Sequence, residues 1–217
     1  MQITGMLWGR KLLDLVEFPH SEVRGPELSV DEIKDMIKRH GQIFIKPLFK
    51  GGVGKKGKSG LLGRVDNIAD ALKEKERLYF AEHVDGFLKA KSDGVTYEVA
   101  VPADYEVYFS ISESTEHRCP IMTITHHGGV DIEELDDDKI KVVPFDALTG
   151  LKAFHVSNAL MELGAPTALI SPLVQNLPKL WDLYNNYGML MLELNPIRMQ
   201  PGKGGRLTPV ALSLIHI

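Results

Sequence analysis

The sequence predicts an α+β layered fold, and three observations carry that prediction. Helical periodicities and β-prone segments are mixed without the strict strand–helix–strand alternation of a doubly wound parallel sheet. The middle of the chain, from about 95 to 126, reads as sheet, with TYEVAV, YEVYFSIS and PIMTITHH all rich in apolar and β-branched residues. In the C-terminal half, two helical stretches each stop at a glycine, Gly164 and Gly188.

The elements follow in order. Met6, Leu7, Leu12, Leu13 and Val16 recur at helical spacing, so a helix is predicted over 3–16. Ser29-Val30-Asp31-Glu32 is a capping-box signature that opens a helix through about His40, with Gly41 stopping it. QIFIKPLF (42–49) is a strand, KGGVGKKGKSG a loop, and LLGRV (61–65) a second strand. A short helix is expected at 67–76 and a strand at RLYFAEHV (77–84). Beyond the central sheet, helices are predicted at 150–163 and 171–187, with Pro172 at a first helical position of the latter. MLMLEL (189–194) is a strand that runs into Asn195-Pro196.

At 217 residues, 44% apolar and 25% charged, the chain has an ordinary globular composition and enough length to bury a core. A net charge of −4 gives no electrostatic reason to expect a nucleic-acid partner. Its distribution is uneven. Six basic residues and no acidic one lie between Lys46 and Arg64, whereas six of the eight positions from Asp131 to Asp138 are acidic. The single cysteine, Cys119, excludes an internal disulfide and a cysteine-rich zinc cluster, and reads as a small buried hydrophobe. No run approaches the roughly 20 apolar residues of a membrane span, and no signal-peptide pattern opens the chain, so a cytoplasmic location is expected.

GVGKKGKS (52–59) matches the G-x-x-x-x-G-K-[ST] spacing of a P-loop, which works only between a strand and a helix N-terminus. The segment after Ser59 is Gly60-Leu61-Leu62-Gly63-Arg64-Val65, which lacks helical period. The better reading is a hairpin with a glycine-rich tip, whose N–H groups and lysines suit a polyphosphate. A solvated basic hairpin stays open as the alternative. Lys46, alone among apolar neighbours in IFIKPLF, then meets either a fixed anion or water.

AEHV (81–84), THHGGVDIEEL (125–135) and MLELNPIRM (191–199), taken in order with IFIKP and GKKGKSGLLG, carry a resemblance across roughly residues 40–210. They resemble the nucleotide-binding subunit of nucleoside-diphosphate-forming acyl-CoA synthetases, the family of ATP-citrate lyase and the succinyl-CoA synthetase beta subunit. The resemblance implies an ATP-grasp fold, in which two α+β lobes hold ATP between their sheets. Residues 1–20 with 105–217 would form the larger lobe and 21–104 the smaller. It further implies Lys46 at the nucleotide phosphates and Lys55, Lys56 and Gly57 in the phosphate-covering loop. Glu82, His83 and Val84 would lie at the hinge beside the adenine edge, and Glu106 would lie next to the nucleotide. Asn195 would be a magnesium ligand, and Glu193, on the same strand face, the carboxylate that receives the partner's phosphohistidine.

The implied cofactors are ATP and Mg2+, with CoA on the partner chain or domain. The implied partner is a CoA-binding, phosphohistidine-bearing alpha-type subunit, giving a hetero-oligomer with no nucleic acid and no membrane. The HHGGVD wording and the lysine-rich loop are closer to ATP-citrate lyase, which points to citrate as the carboxylate substrate. His126 and His127, adjacent on a strand, are expected to point to opposite faces and so not to share a metal ion. Asp131, Glu133 and the acidic run read as a solvated loop.

The sequence departs from the family near its end. No carboxylate follows Glu193, although the segment matching GRLTPVA (205–211) leads in the family to a second magnesium-binding aspartate. LSLIHI resembles translated sequencing-adapter read-through, so 212–217 is expected to be a non-native tail.

Overall fold

A computed structural model describes residues 3–4, 6–49, 60–85, 88–129, 132 and 135–216. In chain order the elements are β1 (Ile3–Thr4), α1 (Met6–Leu15), β2 (Val23–Arg24), α2 (Val30–His40), β3 (Ile43–Phe49) and β4 (Gly63–Val65). There follow α3 (Ile68–Tyr79), β5 (Glu82–Asp85), β6 (Leu88–Val99), β7 (Glu106–Ser114), β8 (Cys119–Thr125) and β9 (Lys141–Pro144). Helices α4 (Ala153–Glu162), α5 (Thr167–Asn176) and α6 (Lys179–Asn186) precede β10 (Met191–Pro201), β11 (Leu207–Ala211) and β12 (Ile215–His216). The chain forms two compact units, Ser21–Ala100 and Met1–His20 with Val101–Ile217. Among the described residues no helix is long and apolar enough to cross a membrane.

The smaller unit is an antiparallel sheet in the order β2-β6-β3-β4, with β5 also pairing β6. Helix α2 starts where its capping box predicts. The Glu32 N–H donates to Ser29 Oγ (3.4 Å), and the Ser29 N–H donates to Glu32 Oε2 (2.9 Å). Ile33, Met36 and Ile37 recur at i, i+3 and i+4, and this stripe is buried. Gly41, at φ 74°, ends the helix by donating its N–H to the Ile37 carbonyl. Ile43 and Ile45 of β3 lie opposite Val99 and Tyr97 of β6, and join α2 and α3 side chains in the core. Strand alternation sends Phe44 and Lys46 to the other face, with Glu98 and Thr96 as their cross-strand partners.

Strands β3 and β4 pair antiparallel, Ile43 with Val65 and Ile45 with Gly63, so the glycine-rich segment joins two strands. The helix a P-loop requires does not follow it; α3 begins only at Ile68, after β4. The predicted strand over 77–84 is corrected. Helix α3 runs on through Tyr79, because Leu78 falls seven residues after Ala71 on the same buried stripe and Arg77 pairs back with Glu74. Only Glu82–Asp85 is strand.

The larger unit is a seven-stranded sheet in the order β1-β12-β10-β7-β8-β9, with β11 also pairing β10, and every pairing is antiparallel. Its register sorts side chains into two faces. Leu192–Ile111–Met122 and Leu194–Phe109–Ile124 form fully buried rows. Helix α4, which buries Val156, Ala159 and Leu160, packs against β8 and β9. The alternate rows are polar: Glu193 lies opposite Ser110, which lies opposite Thr123, and Tyr108 lies opposite Thr125.

Three further expectations are corrected in this unit. The helix predicted over 171–187 is two helices, α5 and α6, and Pro172 lies inside α5. The break comes at Pro178, which has no N–H to continue the ladder and instead begins the turn into α6. Strand β10 does not end at Asn195-Pro196, a cis peptide, but shifts register between Leu194 and Ile197 and continues to Pro201. Cys119, read as buried, is a free thiol that is partly exposed at the start of β8. Residues Ile215–His216, inside the segment expected to be a tail, pair with β10 and β1, and Leu214 is buried.

Candidate functional site

In the smaller unit, the Lys46 ammonium forms an ion pair with the Glu98 carboxylate of β6. Thr96, directly opposite Lys46, donates its hydroxyl to Glu98 Oε1 at 3.4 Å. Glu98 is 7% exposed, so its charge is largely out of water and is balanced chiefly by Lys46. The fixed anion that the sequence left open for Lys46 is thus a protein carboxylate. Glu98 was not singled out from the sequence; its signal was a lone acid in the alternating strand TYEVAV.

Glu82, His83 and Val84 are placed differently from the hinge they were assigned. They form most of β5, paired with Lys91, Ala90 and Lys89 of β6, inside the smaller unit. The chain passes between the units after His20 and after Ala100, so these three residues are not at a crossing. Glu82 and Val84 are exposed. Lys55, Lys56 and Gly57, with Lys50 and Lys58, lie outside the described residues, as do Asp131 and Glu133. Just after the loop, the Gly60 carbonyl accepts a hydrogen bond from Arg77 Nη1 at 3.1 Å.

In the larger unit, Glu193, Asn195 and Glu106 lie on neighbouring strands β10 and β7. Burial pushes the Glu193 carboxyl above the usual carboxylate range, while the Tyr108 hydroxyl, donating to its Oε2 at 3.2 Å, opposes that shift. Tyr108 itself is pushed up to about 12 by burial, with the Glu193 charge adding to the effect. The phenol therefore stays a neutral donor at any physiological pH.

Asn195 sits in the β10 irregularity, and its Oδ1 accepts from the Gly129 N–H at 3.2 Å. The Gly128-Gly129 step is held close to β7. The Gly128 N–H donates to the Glu106 carbonyl at 2.8 Å. A Cβ on Gly128 would come within 2.6 Å of the Val107 backbone, and one on Gly129 would run into Glu106 Oε2. Arg198, directly opposite Glu106, donates Nε to Glu106 Oε1 at 2.8 Å and Nη1 to the Val101 carbonyl at 2.9 Å. Glu106 is therefore a charge-paired carboxylate. Tyr108, Arg198 and the close packing of the two glycines were not assigned from the sequence, because each depends on cross-strand register.

The histidine pair is also corrected. His126 and His127 lie in the bend beyond Thr125, where strand alternation no longer applies, and their rings are adjacent, with centroids 4.2 Å apart. Burial lowers the His126 pKa, its neighbour His127 adding to the effect, and its Nδ1 has no hydrogen-bond partner among the described residues. Among the described residues no three His, Cys, Asp or Glu side chains cluster to hold a metal ion.

The ATP-grasp domain family model matches residues 16–199. The succinate–CoA ligase [ADP-forming] subunit beta of Desulfatibacillum aliphaticivorans is 28% identical over 178 residues, 79% of this chain and 46% of that protein. The chain thus spans about half the length of this curated relative. Among solved structures, ATP citrate lyase from Methanothrix soehngenii superposes with a TM-score of 0.70 at 19% identity, covering all of this chain and 50% of that one. The dinucleotide-forming acetyl-coenzyme A synthetase 1 of Ca. Korarchaeum cryptofilum gives 0.73 at 14% identity, covering all of this chain and 93% of that one. At those identities the superpositions report the fold. With the model spanning most of the sequence, the chain belongs to the ATP-grasp domain family.

Proposed function

We propose that this chain is the ATP-binding part of an ADP-forming acid–CoA ligase, which passes the γ-phosphate of ATP to a histidine on a CoA-binding, alpha-type partner. The observation that carries this reading is the Glu193 carboxylate, half-buried on the polar sheet face beside Tyr108 and two residues from Asn195. The relatives named above include a succinate–CoA ligase beta subunit and an ATP citrate lyase, which fits the same reading. Citrate is the carboxylate favoured, from the HHGGVD wording and the loop lysines, and succinate or another acid is the alternative. A cytoplasmic location belongs to the same proposal.

In the transfer, the bond between the γ-phosphorus and the β,γ-bridging oxygen breaks, and its electron pair stays on ADP. A P–N bond forms from the lone pair of the unprotonated imidazole nitrogen. The ring keeps its one proton on the other nitrogen during the transfer and releases it to solvent only afterwards, as the ring returns to neutral. Glu193 accepts the N–H of the other ring nitrogen, which orients the ring and stabilises the charge it gains. Lys46, whose side chain stays about a quarter exposed beside Glu98, is the cation this reading turns toward the phosphates, whose charge phosphoryl transfer requires to be neutralised.

Magnesium, when bound, would supply further charge neutralisation on the phosphates. Asn195 offers an amide oxygen and Glu193 a carboxylate. That donor set suits a cation that keeps its waters and arrives with the nucleotide, rather than one held in a protein cage.

A second reading is a nucleotide-binding module without transfer activity. It is favoured by β11, where Leu207–Ala211 offers no carboxylate.

Calorimetric titration with Mg-ADP tests the first step: binding that Lys46→Ala weakens by about tenfold or more, about 1.4 kcal/mol, is expected. The transfer step is read in reverse with phosphoimidazole and Mg-ADP. The P–N bond breaks, a P–O bond to ADP forms, and the released imidazole takes up one proton. ATP formation that Glu193→Gln abolishes supports the ligase reading. Nucleotide binding with no ATP formed supports the module, and a folded chain that binds no nucleotide overturns both.

A further inference from the structure

Helix α4 starts without a side-chain oxygen at its N-terminal cap. Lys152, the residue before Ala153, is extended at φ −111° and ψ 159°, and its ammonium cannot accept a hydrogen bond. The third helical position, where a capping box places Glu or Gln, is held by His155. The Lys152 N–H donates to His155 Nδ1 at 2.9 Å, and the His155 N–H donates to the Lys152 carbonyl at 3.0 Å. An imidazole thus stands where the box acid or amide would.

That exchange fixes the state of the ring. Nδ1 accepts, so it carries no proton, and the neutral ring keeps its proton on Nε2. A second proton can enter only at Nδ1, where it displaces the amide. The surroundings oppose that proton as well. The ring is half-buried against Phe154 and Phe145, with centroids 4.1 and 5.8 Å away, and it lies at the positive end of the helix dipole. Burial first, and the Lys152 charge second, hold the His155 pKa below its ordinary value of 6.5.

The other charges on the elements around α4 are engaged elsewhere or lie at the surface. The Asp146 carboxylate, next to Phe145, accepts the N–H groups of Leu148 and Thr149. Lys141 of β9 pairs with Glu162 at the far end of α4. In α6, Lys179 donates to Asn176 and Asp182 is exposed, while β8 and α5 carry no charged side chain. The cap also has clear limits. Leu151 before it and Val156, Ala159 and Leu160 after it are buried, whereas Phe154 is 57% exposed.

We propose that His155 is a proton-operated cap: neutral, it closes the first turn of α4 on the Lys152 amide, and protonated, it releases that amide and lets the turn from Lys152 to His155 open while Leu151 and Val156 stay packed. The contribution of the cap is fully present above pH 6.5 and is lost as pH falls through the lower folded-state value.

The experiment follows the full chain, labelled with 15N, by NMR, the His155 ring signals being assigned by their loss in His155→Gln. Long-range proton–nitrogen spectra at about pH 7.5 should show the Nε2–H tautomer, with Nδ1 unprotonated. The Lys152 amide should shift together with the ring, at a midpoint below 6.5. Its protection from hydrogen exchange, corrected for intrinsic pH dependence, should fall about tenfold between about pH 7.5 and about pH 5. In His155→Gln the side-chain amide oxygen accepts the same N–H without titrating, so protection should stay within about twofold over that range. Glutamine is favoured at this position, so the variant keeps the helix start, and the tautomer is read on the parent chain with no substitution at all. An Nδ1–H tautomer overturns the proposal, as does Lys152 protection that follows the same pH course in both proteins.

Discussion

Lys46 and Glu98 stand diagonally across the β3–β6 pair, Lys46 opposite Thr96 and Glu98 opposite Phe44, and their side chains close that diagonal as an ion pair. Replacing Lys46 alone leaves Glu98 as a nearly buried charge without its partner. Lys46→Met should therefore cost about 2 kcal/mol in urea unfolding, below the 3–5 typical of fully buried pairs because the lysine is about a quarter exposed. Adding Glu98→Gln should restore stability to within about 1 kcal/mol, since an uncharged amide no longer needs the ammonium. Mg-ADP affinity should stay about tenfold down in both variants. If the double variant is no more stable than the single one, the pair is not what Lys46 contributes to the fold.

Arg198 is the second place where charge geometry can be tested. Its guanidinium reaches Glu106 and the Val101 carbonyl at once, a fork that an ammonium cannot reproduce. Arg198→Lys should cost about 1–2 kcal/mol of stability, with both partners partly exposed. A double-mutant cycle with Glu106→Gln should show a coupling of about 1 kcal/mol. Additive losses would mean that Arg198 acts through Val101 alone.

What the sequence made legible follows from the range of the interactions involved. Helix α2 was readable because a capping box, an i, i+3, i+4 stripe and a stopping glycine are all local signals. The hairpin around the glycine-rich loop was readable because no helical period follows Ser59. Helix α3 was cut short because Arg77-Leu78-Tyr79-Phe80 has strand-like composition, while its buried residue, Leu78, is set by packing against β3 and β6. At the candidate site, Glu193 and Asn195 were legible from a strand motif. Tyr108, Glu98 and Arg198 were not, because their partners lie 85, 52 and 92 residues away in sequence. The assignment of Glu82–Val84 as a hinge failed for the same reason: where the chain passes between units is a property of the whole contact pattern.

The paired glycines before the acidic loop should separate two kinds of glycine requirement. A Cβ at Gly128 meets backbone atoms of Val107, which cannot rotate away, so Gly128→Ala should destabilise by more than about 2 kcal/mol. Gly164, at φ 64°, has open space around its Cα, so Gly164→Ala should cost only the left-handed backbone penalty of about 1 kcal/mol. Urea unfolding of the two variants checks the order. Equal losses would show that the step from Gly128 to β7 is looser than its hydrogen bond to Glu106 indicates.

Glu193 should give the protein a stability profile that falls with pH. Its folded-state pKa is raised by burial above the ordinary carboxylate value of 4.5, so the native state holds the proton more tightly than the unfolded chain does. The stabilisation from that proton is fully present below pH 4.5 and is lost as pH rises through the folded-state value; the sign is opposite to that of a salt-bridged carboxylate. The amide introduced by Glu193→Gln has no proton to lose. Glu193→Gln should therefore gain stability relative to the parent chain between about pH 4 and pH 7, even as it removes phosphoryl transfer. Other carboxylates titrate in this range too, but they are common to both proteins and cancel in the difference. Tyr108→Phe, in which the carboxylate loses its donor, should lose more stability at about pH 7 than at about pH 4. Urea unfolding of the three proteins at both pH values checks this. A Glu193→Gln difference that does not change with pH would mean that the half-buried Glu193 carboxyl binds its proton no more tightly in the folded chain than in the unfolded one.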